Sequence, residues 1–240
     1  MKKILLSTVL IGIVFSSACS NEVKEFGEKT DETETISVGA NYLEYDEESS
    51  LFKETELVVI AEVNTDFEER EHFVTYFQSE TAQEMNEIED YYTKTPITIK
   101  KVLKTPEGSN LGENSELMII EPISLIDDEN GKRILTTEHY KELEKDNTYV
   151  LYLNKNTDGE YSVINMNNGR FNLDKEEEFI KEEVEKEVAE KAVTTAKTGA
   201  QSHEHLDEHA DVEKVEIHDT MKGDVLKKFA KEIEEVQENK

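Results

Sequence analysis

Four of the six histidines of this chain lie between His203 and His218, among carboxylates. Imidazole nitrogens bind zinc and related ions, and carboxylates can complete the coordination shell. On a helix, His205 and His209 would lie one turn apart on the same face, with His203 on the other side. Two ligands rarely bind an ion tightly, so His203, His218 or a carboxylate would have to complete the shell. The segment predicts either a peripheral metal site, with zinc as its cofactor, or solvated histidines in a linker.

The same segment contains a peptidase-like motif. Residues 205–209, His-Leu-Asp-Glu-His, fit the H-x-x-E-H pattern of inverted zinc peptidases. Those enzymes need a large supporting domain and a further protein ligand well downstream, which the short stretch after His209 does not favour. The rest of the sequence has no glycine-rich phosphate loop, G-x-S-x-G elbow, H-E-x-x-H motif or EF-hand loop. The sequence therefore predicts a protein that is not an enzyme, with no catalytic residues.

The only cysteine, Cys19, follows a basic start and a short apolar run over residues 4–15. The tetrapeptide Ser-Ser-Ala-Cys that ends at Cys19 resembles the lipobox of bacterial lipoproteins. This resemblance implies a signal peptide over residues 1–18 and a diacylglyceryl group, with palmitate-like chains, on Cys19. Two alternatives remain, namely cleavage by an ordinary signal peptidase and retention of the segment as a membrane helix. The run is short for the second, because a bilayer span needs about 20 apolar residues.

The exported part would be anchored, acidic and without a free thiol. Once Cys19 is acylated no cysteine is left, which excludes disulfides and thiolate metal sites. The formal net charge of −29 repels nucleic acid and anionic lipid headgroups. We therefore expect a lipid-anchored protein on the extracytoplasmic face of a Gram-positive cell membrane. Its partners would be the membrane, through Cys19, and an envelope protein, but not nucleic acid.

Composition divides the remaining chain into three parts. Residues 19–48 are acidic and have no sustained period, which predicts a flexible tether. Residues 49–173 carry short runs of β-forming residues between turns, which predict an OB-like barrel domain. Residues 174–240 predict a charged helical C-terminal extension. The predicted fold class is α+β, with a small antiparallel β-barrel followed by a pair of amphipathic helices.

The strands of the barrel are predicted from apolar and β-branched runs. These runs cover residues 57–63, 72–77, 95–103, 117–126, 132–136, 148–153, 161–166 and 170–173. A short helical turn at 50–55 precedes the first of them. Pro96 suits the first residue of a strand, and Pro122 predicts an interruption, because proline cannot donate a ladder hydrogen bond.

Other local patterns predict the connections. The Asn-Gly pairs that end at Gly131 and Gly169 predict two tight hairpins. Residues 81–92 have apolar side chains at helical spacing, which predicts an inserted helix or an ordered loop. Arg70 and His72, beside glutamates, indicate the charged end of a strand.

This order of elements resembles a group of small extracytoplasmic lipoproteins of Gram-positive bacteria. Their exported part is an OB-like barrel, similar in outline to the inhibitory domain of tissue metalloproteinase inhibitors. The residues that carry the resemblance are 57–63, 97–103 with Lys104, 149–153, and Gly169-Arg170-Phe171. It implies the barrel fold and no settled activity.

The tail predicts two amphipathic helices. The first has an apolar residue at every fourth position from Ile180 to Ala192, and the second, at 219–237, has a stripe made of Val225, Phe229, Ile233 and Val236. Such stripes usually dock on the protein's own domain or on the partner helix of a hairpin. Two functions stay open: a non-enzymatic protein-interaction module of the cell envelope, or a metal-handling lipoprotein that uses the segment His203 to His209.

Overall fold

A closed ring of five β-strands is the centre of an α+β fold. The computed structural model describes residues 33–77, 88–128, 131–176 and 208–240. The strands described are β1 (Glu34–Val38), β2 (Leu57–Val63), β3 (Glu71–Tyr76), β4 (Ile88–Lys104), β5 (Glu116–Glu121), β6 (Ile123–Asp128), β7 (Gly131–Thr137), β8 (Thr148–Lys155), β9 (Tyr161–Val163) and β10 (Arg170–Asn172). The helices are α1 (Glu48–Glu54), α2 (Glu208–Lys228) and α3 (Ala230–Glu238). The predicted α+β class and β-barrel are confirmed.

The barrel closes in the order β2, β4, β5, β9, β8, with β8 returning to β2. Neighbouring strands are antiparallel except β5 and β9, which run parallel. In a closed ring with an odd number of strands, neighbouring strands cannot all be antiparallel. At least one parallel pair is therefore unavoidable. The predicted antiparallel barrel is corrected at this pair.

A second sheet has the strand order β1, β7, β6. β6 and β7 form the hairpin predicted at Gly131, with Asp128 opposite Gly131. β1 runs parallel to β7, with Ile36 opposite Leu135. Residues 34–38 belong to the segment predicted to be a flexible tether. Their sequence, Glu-Thr-Ile-Ser-Val, contains three β-branched residues, which suit a strand, and β7, far along the chain, supplies the hydrogen-bonding partner.

Both faces of β2 are buried, which explains its continuous apolar run. Leu57, Val59 and Ala61 point into the barrel, whereas Val58 and Ile60 point out of it. Alternate residues of a strand face opposite sides, so a strand covered on both sides is apolar throughout. The strand predicted at 57–63 is confirmed.

The C-terminal helices cover the outer face of β2, β8 and β10. They contribute Met221, Val225, Phe229 and Ile233 to a hydrophobic cluster with Leu51, Val58, Ile60, Val150, Tyr152 and Phe171. The predicted helix at 219–237 is thus confirmed as the second part of α2 followed by α3, with a break at Phe229. Its apolar stripe docks on its own domain. The helix predicted from Ile180 to Ala192 lies outside the described residues.

An ion pair also joins the tail to α1. The Lys228 ammonium lies 2.8 and 3.0 Å from the two carboxylate oxygens of buried Glu48, and the Tyr152 hydroxyl donates to the same carboxylate at 2.8 Å. The Lys228 ammonium also lies 3.4 Å from the centre of the Phe52 ring. The end of α2 is therefore held by charge as well as by apolar contact.

Two local predictions within β4 are wrong. Residues 88–92 begin β4 and are not helical, while 81–87 lie outside the described residues. Pro96 lies inside the strand and not at its start. Along one side, β4 pairs with β3 as far as Lys94 and with β2 from Ile97. Pro96 lies where the neighbour changes, so its missing N–H is tolerated there.

The predicted hairpin at Gly169 is also wrong. Met166–Gly169 form a short 3-10 helix, and β10 pairs with β8 instead of β9. Gly169 fits this turn because a side chain would collide with the backbone: a Cβ there would overlap the Ile164 carbonyl oxygen. Glycine is needed here for a close approach of two backbone segments.

His72 links the second sheet to the extension of the barrel formed by β3 and β4. Its Nδ1 accepts a hydrogen bond from the Leu125 N–H of β6 at 3.1 Å, and its Nε2 lies 2.8 Å from the Phe67 carbonyl oxygen. A carbonyl can only accept, so Nε2 carries the hydrogen and the ring is neutral. Burial lowers the pKa of His72, as does the nearby Arg70 guanidinium, against the opposing effects of the Phe67 carbonyl and Glu68.

We expect His72 to make stability depend on pH. Because its folded-state pKa is below the ordinary value of 6.5, its stabilising contribution is complete above about pH 6.5. The contribution is lost as pH falls through the folded-state pKa, when protonated Nδ1 can no longer accept from Leu125. Urea unfolding at pH 7.5 and pH 5 should show a larger loss for the wild type than for His72→Gln. Equal losses in the two proteins would contradict this role, since all other titrating groups are shared.

Candidate functional site

The outer wall of the barrel has a covered side and an open side. The helices cover β2, β8, β10 and the C-terminal end of β4, whereas β3, β5 and the first part of β4 carry apolar side chains that belong to neither hydrophobic cluster of the described residues. We call these side chains the open stripe: Phe73, Tyr92, Pro96, Met118 and Ile120. Met118 is 45% exposed, and the other four are partly exposed.

Strand register brings the open stripe together. Phe73 lies opposite Tyr92, and Pro96 lies opposite Met118. Ile120 lies opposite Lys94, the residue between Tyr92 and Pro96 on the outer side of β4. The alternate positions 93, 95, 97 and 99 are buried and point into the barrel. Three neighbouring strands therefore present one continuous outer surface.

Aromatic stacking and one ion pair fix the middle of the stripe. The rings of Phe73 and Tyr92 are stacked, with centroids 4.8 Å apart and an interplanar angle of 16°. The Lys94 ammonium lies 5.4 Å from the centre of the Phe73 ring and 2.7 Å from the Glu160 carboxylate. The hydrogen bond to Glu160 raises the pKa of Lys94, so the ammonium stays charged. The surface is held in place before any partner binds.

Carboxylates border the open stripe. Asp90 precedes Tyr92 by two residues on the same side of β4, and Glu116 precedes Met118 by two residues on β5. Glu71 lies opposite Lys94, and Glu160 forms the ion pair with it. The surface thus has an apolar centre and an acidic margin, with Lys94 as the cation within the stripe.

A buried charge network lies directly behind the stripe. The Arg70 guanidinium donates to the Glu121 carboxylate at 2.8 Å, and both side chains are fully buried. The same carboxylate also accepts from the hydroxyl groups of Thr95 and Tyr140 and from the Leu143 N–H. Burial, reinforced by the Glu121 charge, raises the pKa of Tyr140 well above its ordinary value, so its hydroxyl remains a donor. The network joins β4 and β5 from inside the barrel.

Arg70 was predicted to be the charged end of a strand, and the structure places it in the interior. Besides Glu121, its guanidinium donates to the Thr65 carbonyl at 3.1 and 2.9 Å and to the Leu143 carbonyl. A buried arginine is stable only when its donors are paired in this way. Its role is to hold the chain at Thr65 and at Leu143 next to Glu121 at the end of β5, rather than to contact solvent.

A polar groove between α3 and β4 is a weaker candidate site. Its cavity volume is about 460 Å³, and lysines and glutamates line it. The lysines are already paired: Lys101 lies 3.0 Å from Glu235 and 3.1 Å from Glu113, and Lys240 lies 3.0 Å from Asp174. The charged groups in the groove neutralise one another, so the groove does not favour a charged ligand.

Of the four predicted metal ligands, His218 is the one whose side chain lies in the described part of the chain. There, no three histidine, cysteine or carboxylate side chains form a group that could hold a metal ion. His218 is buried, stacked on Phe171 at 5.3 Å, with its Nδ1 3.1 Å from Asn168 Oδ1. His203, His205 and the side chain of His209 lie outside the described residues, so the zinc site stays a prediction. Cys19 and the predicted signal peptide also lie outside them.

The open stripe could not be recognised from the sequence because the usual pattern of strand polarity is inverted there. Along the first part of β4, Thr93 and Thr95 point inward while Tyr92 and Pro96 point outward. With polar residues inside and apolar residues outside, this part of the strand lacks the usual alternation that marks a buried apolar face.

No protein-family model, curated protein or solved structure matches the chain. None of the helices described is long and apolar enough to cross a lipid bilayer.

Proposed function

We propose that this chain is a lipid-anchored, extracytoplasmic, non-enzymatic protein-interaction module of a bacterial cell envelope, and that the open stripe is its contact surface. One observation carries the proposal: helices cover one side of the barrel's outer wall, while another side keeps stacked aromatic and apolar side chains at the surface. Apolar surface rimmed by polar residues is typical of protein-binding sites. The anchor would be a diacylglyceryl group on Cys19, whose two acyl chains suffice for stable attachment.

We further propose that the barrel is OB-like. In chain order its five strands are β2, β4, β5, β8 and β9, and the ring order is first, second, third, fifth, fourth. OB-folds use the face of their second and third strands for binding. Those strands are β4 and β5 here, which carry most of the open stripe. The net charge of −29 and the acidic margin oppose an oligonucleotide, so a protein partner fits this face better.

A photo-crosslinking amino acid at Met118 tests the contact surface in intact cells. We expect a crosslinked species of defined mass from position 118, because that side chain would lie in the interface. Leu226, on α2, is the matched control, since it is 40% exposed against 45% for Met118. The species should be lost when Tyr92→Asp places a charge in the stripe. Equal crosslinking from both positions, or no effect of Tyr92→Asp, would contradict the proposal.

The same cells test the anchor. Cys19→Ala should move the protein from the membrane fraction to the medium, or leave it as an unprocessed precursor, and should abolish crosslinking to a partner held at the membrane. Mass spectrometry of the mature N-terminus reads the modification directly. An unmodified Cys19 at that terminus would contradict the lipid anchor but leave the contact surface to be judged by the Met118 result.

A further inference from the structure

We infer that the open stripe takes an extended, basic segment of a partner protein, with basic residues at both ends of a nine-residue stretch and apolar residues at its third and seventh positions. This inference rests on the proposed function and specifies the partner's chemistry. It follows from the order of side chains along the outer side of β4 and the adjacent end of β5.

The outer side of β4 alternates in charge and polarity. The order is a carboxylate at Asp90, an aromatic ring at Tyr92, the paired ammonium of Lys94, and an apolar site at Pro96, which lies opposite Met118. Next comes Thr98, with the Glu116 carboxylate directly opposite it on β5. Same-side residues of a strand are about 7 Å apart, so the row from Asp90 to Thr98 is about 27 Å long. An extended peptide of nine residues has the same length and the same spacing between its same-side residues.

Complementarity then fixes the partner's pattern. Cations at positions 1 and 9 would meet Asp90 and Glu116, both of which are exposed. Apolar side chains at positions 3 and 7 would lie on the Phe73–Tyr92 stack and on Pro96 with Met118. Position 5 would face Lys94, which is already neutralised by Glu160 at 2.7 Å, so an uncharged polar residue fits there.

The charge of the chain excludes the simplest alternative occupant. A second copy of this protein also carries a net charge of −29 and would be repelled by the acidic margin. A basic segment is attracted, and the attraction weakens with salt because the carboxylates at both ends of the row are at the surface.

The test uses the full chain with Cys19→Ala and a synthetic nine-residue peptide. The peptide has lysine at positions 1 and 9, leucine at 3 and 7, glutamine at 5 and serine elsewhere. One control peptide has glutamate at positions 1 and 9, and a second exchanges the lysine and leucine positions. Amide chemical-shift changes on titration should centre on β3, β4 and β5. Affinity should be about tenfold lower for each control peptide, as expected for two exposed ion pairs or two lost apolar contacts.

Asp90→Asn combined with Glu116→Gln should abolish the preference for lysine over glutamate while keeping the preference for the leucine positions. Equal binding of all three peptides, or shift changes centred on α2 and α3, would overturn the inference. The Met118 crosslink separates this outcome from the broader proposal: if it persists while the peptides fail to discriminate, only the partner pattern is wrong. If the crosslink also fails, the contact surface itself is wrong.

Discussion

Arg70→Met should lower the free energy of unfolding by about 3–5 kcal/mol, which is the usual cost of removing one partner of a buried ion pair. The substitution leaves the fully buried Glu121 carboxylate without its cation. It also leaves the carbonyl oxygens of Thr65 and Leu143 without the guanidinium donor. Urea unfolding of the full chain measures the change.

The matched control is an exposed ion pair. Lys132 lies 2.9 Å from Glu68, with side chains 48% and 65% exposed. Lys132→Met should therefore cost less than about 1 kcal/mol. A double variant, Arg70→Met with Glu121→Met, should cost less than the sum of the two single variants by about 1–3 kcal/mol, because it leaves no unpaired charge. If Arg70→Met is no more destabilising than Lys132→Met, the buried network does not join β4 and β5 as described.

Gly169→Ala should destabilise the protein by about 3 kcal/mol or more. The added Cβ would overlap the Ile164 carbonyl oxygen and lie 2.8 Å from its carbon. Both are backbone atoms, so no side-chain rotation can relieve the contact. The 3-10 helix Met166–Gly169 and the start of β10 would have to move. Thermal or urea unfolding of the variant gives the magnitude.

Gly112→Ala is the control for this second prediction. Nothing lies within 4 Å of a Cβ at Gly112, so its substitution should change stability by no more than about 0.5 kcal/mol. A loss at Gly169 that matches the loss at Gly112 would mean that the close approach to Ile164 is not needed for the fold.

The two predictions concern different sides of the barrel. Arg70 and Glu121 hold the inner side of the strands that carry the open stripe. Gly169 lets the chain return so that β10 can pair with β8, on the face covered by the helices. We expect Arg70→Met to weaken binding at the stripe as well as stability, since β4 and β5 must stay in register for Pro96 and Met118 to meet.

Local sequence patterns were sufficient where the environment agrees with the local preference. The run Leu57–Val63 is apolar on both faces because both are covered, and it forms the predicted strand β2. Gly131 marks a hairpin because β6 and β7 pair with each other. The apolar stripe Val225, Phe229 and Ile233 predicted an amphipathic helix with one apolar face, and that face is buried against the barrel.

The same patterns failed where a distant segment decides the structure. Asn-Gly at Gly169 favours a hairpin turn locally, but β8 supplies a better partner for β10, and glycine serves to avoid the Ile164 backbone. Residues 34–38 are a short β-branched run inside an acidic segment, and β7, which is distant in the chain, pairs with them. Arginine is usually found at the surface. Arg70 can be buried because the Glu121 carboxylate forms an ion pair with it in the folded barrel.

The sequence by itself determined the acidic net charge, and it predicted the anchor at Cys19 and a β-barrel followed by C-terminal helices. These depend on composition and on periodicity within one element. The tertiary structure alone decided that β5 and β9 run parallel, that the network of Arg70 and Glu121 lies inside, and that Phe73, Tyr92 and Met118 share one open surface. Each of these depends on strand register between segments that are far apart in the chain, and register is set by packing of the whole barrel rather than by any local run.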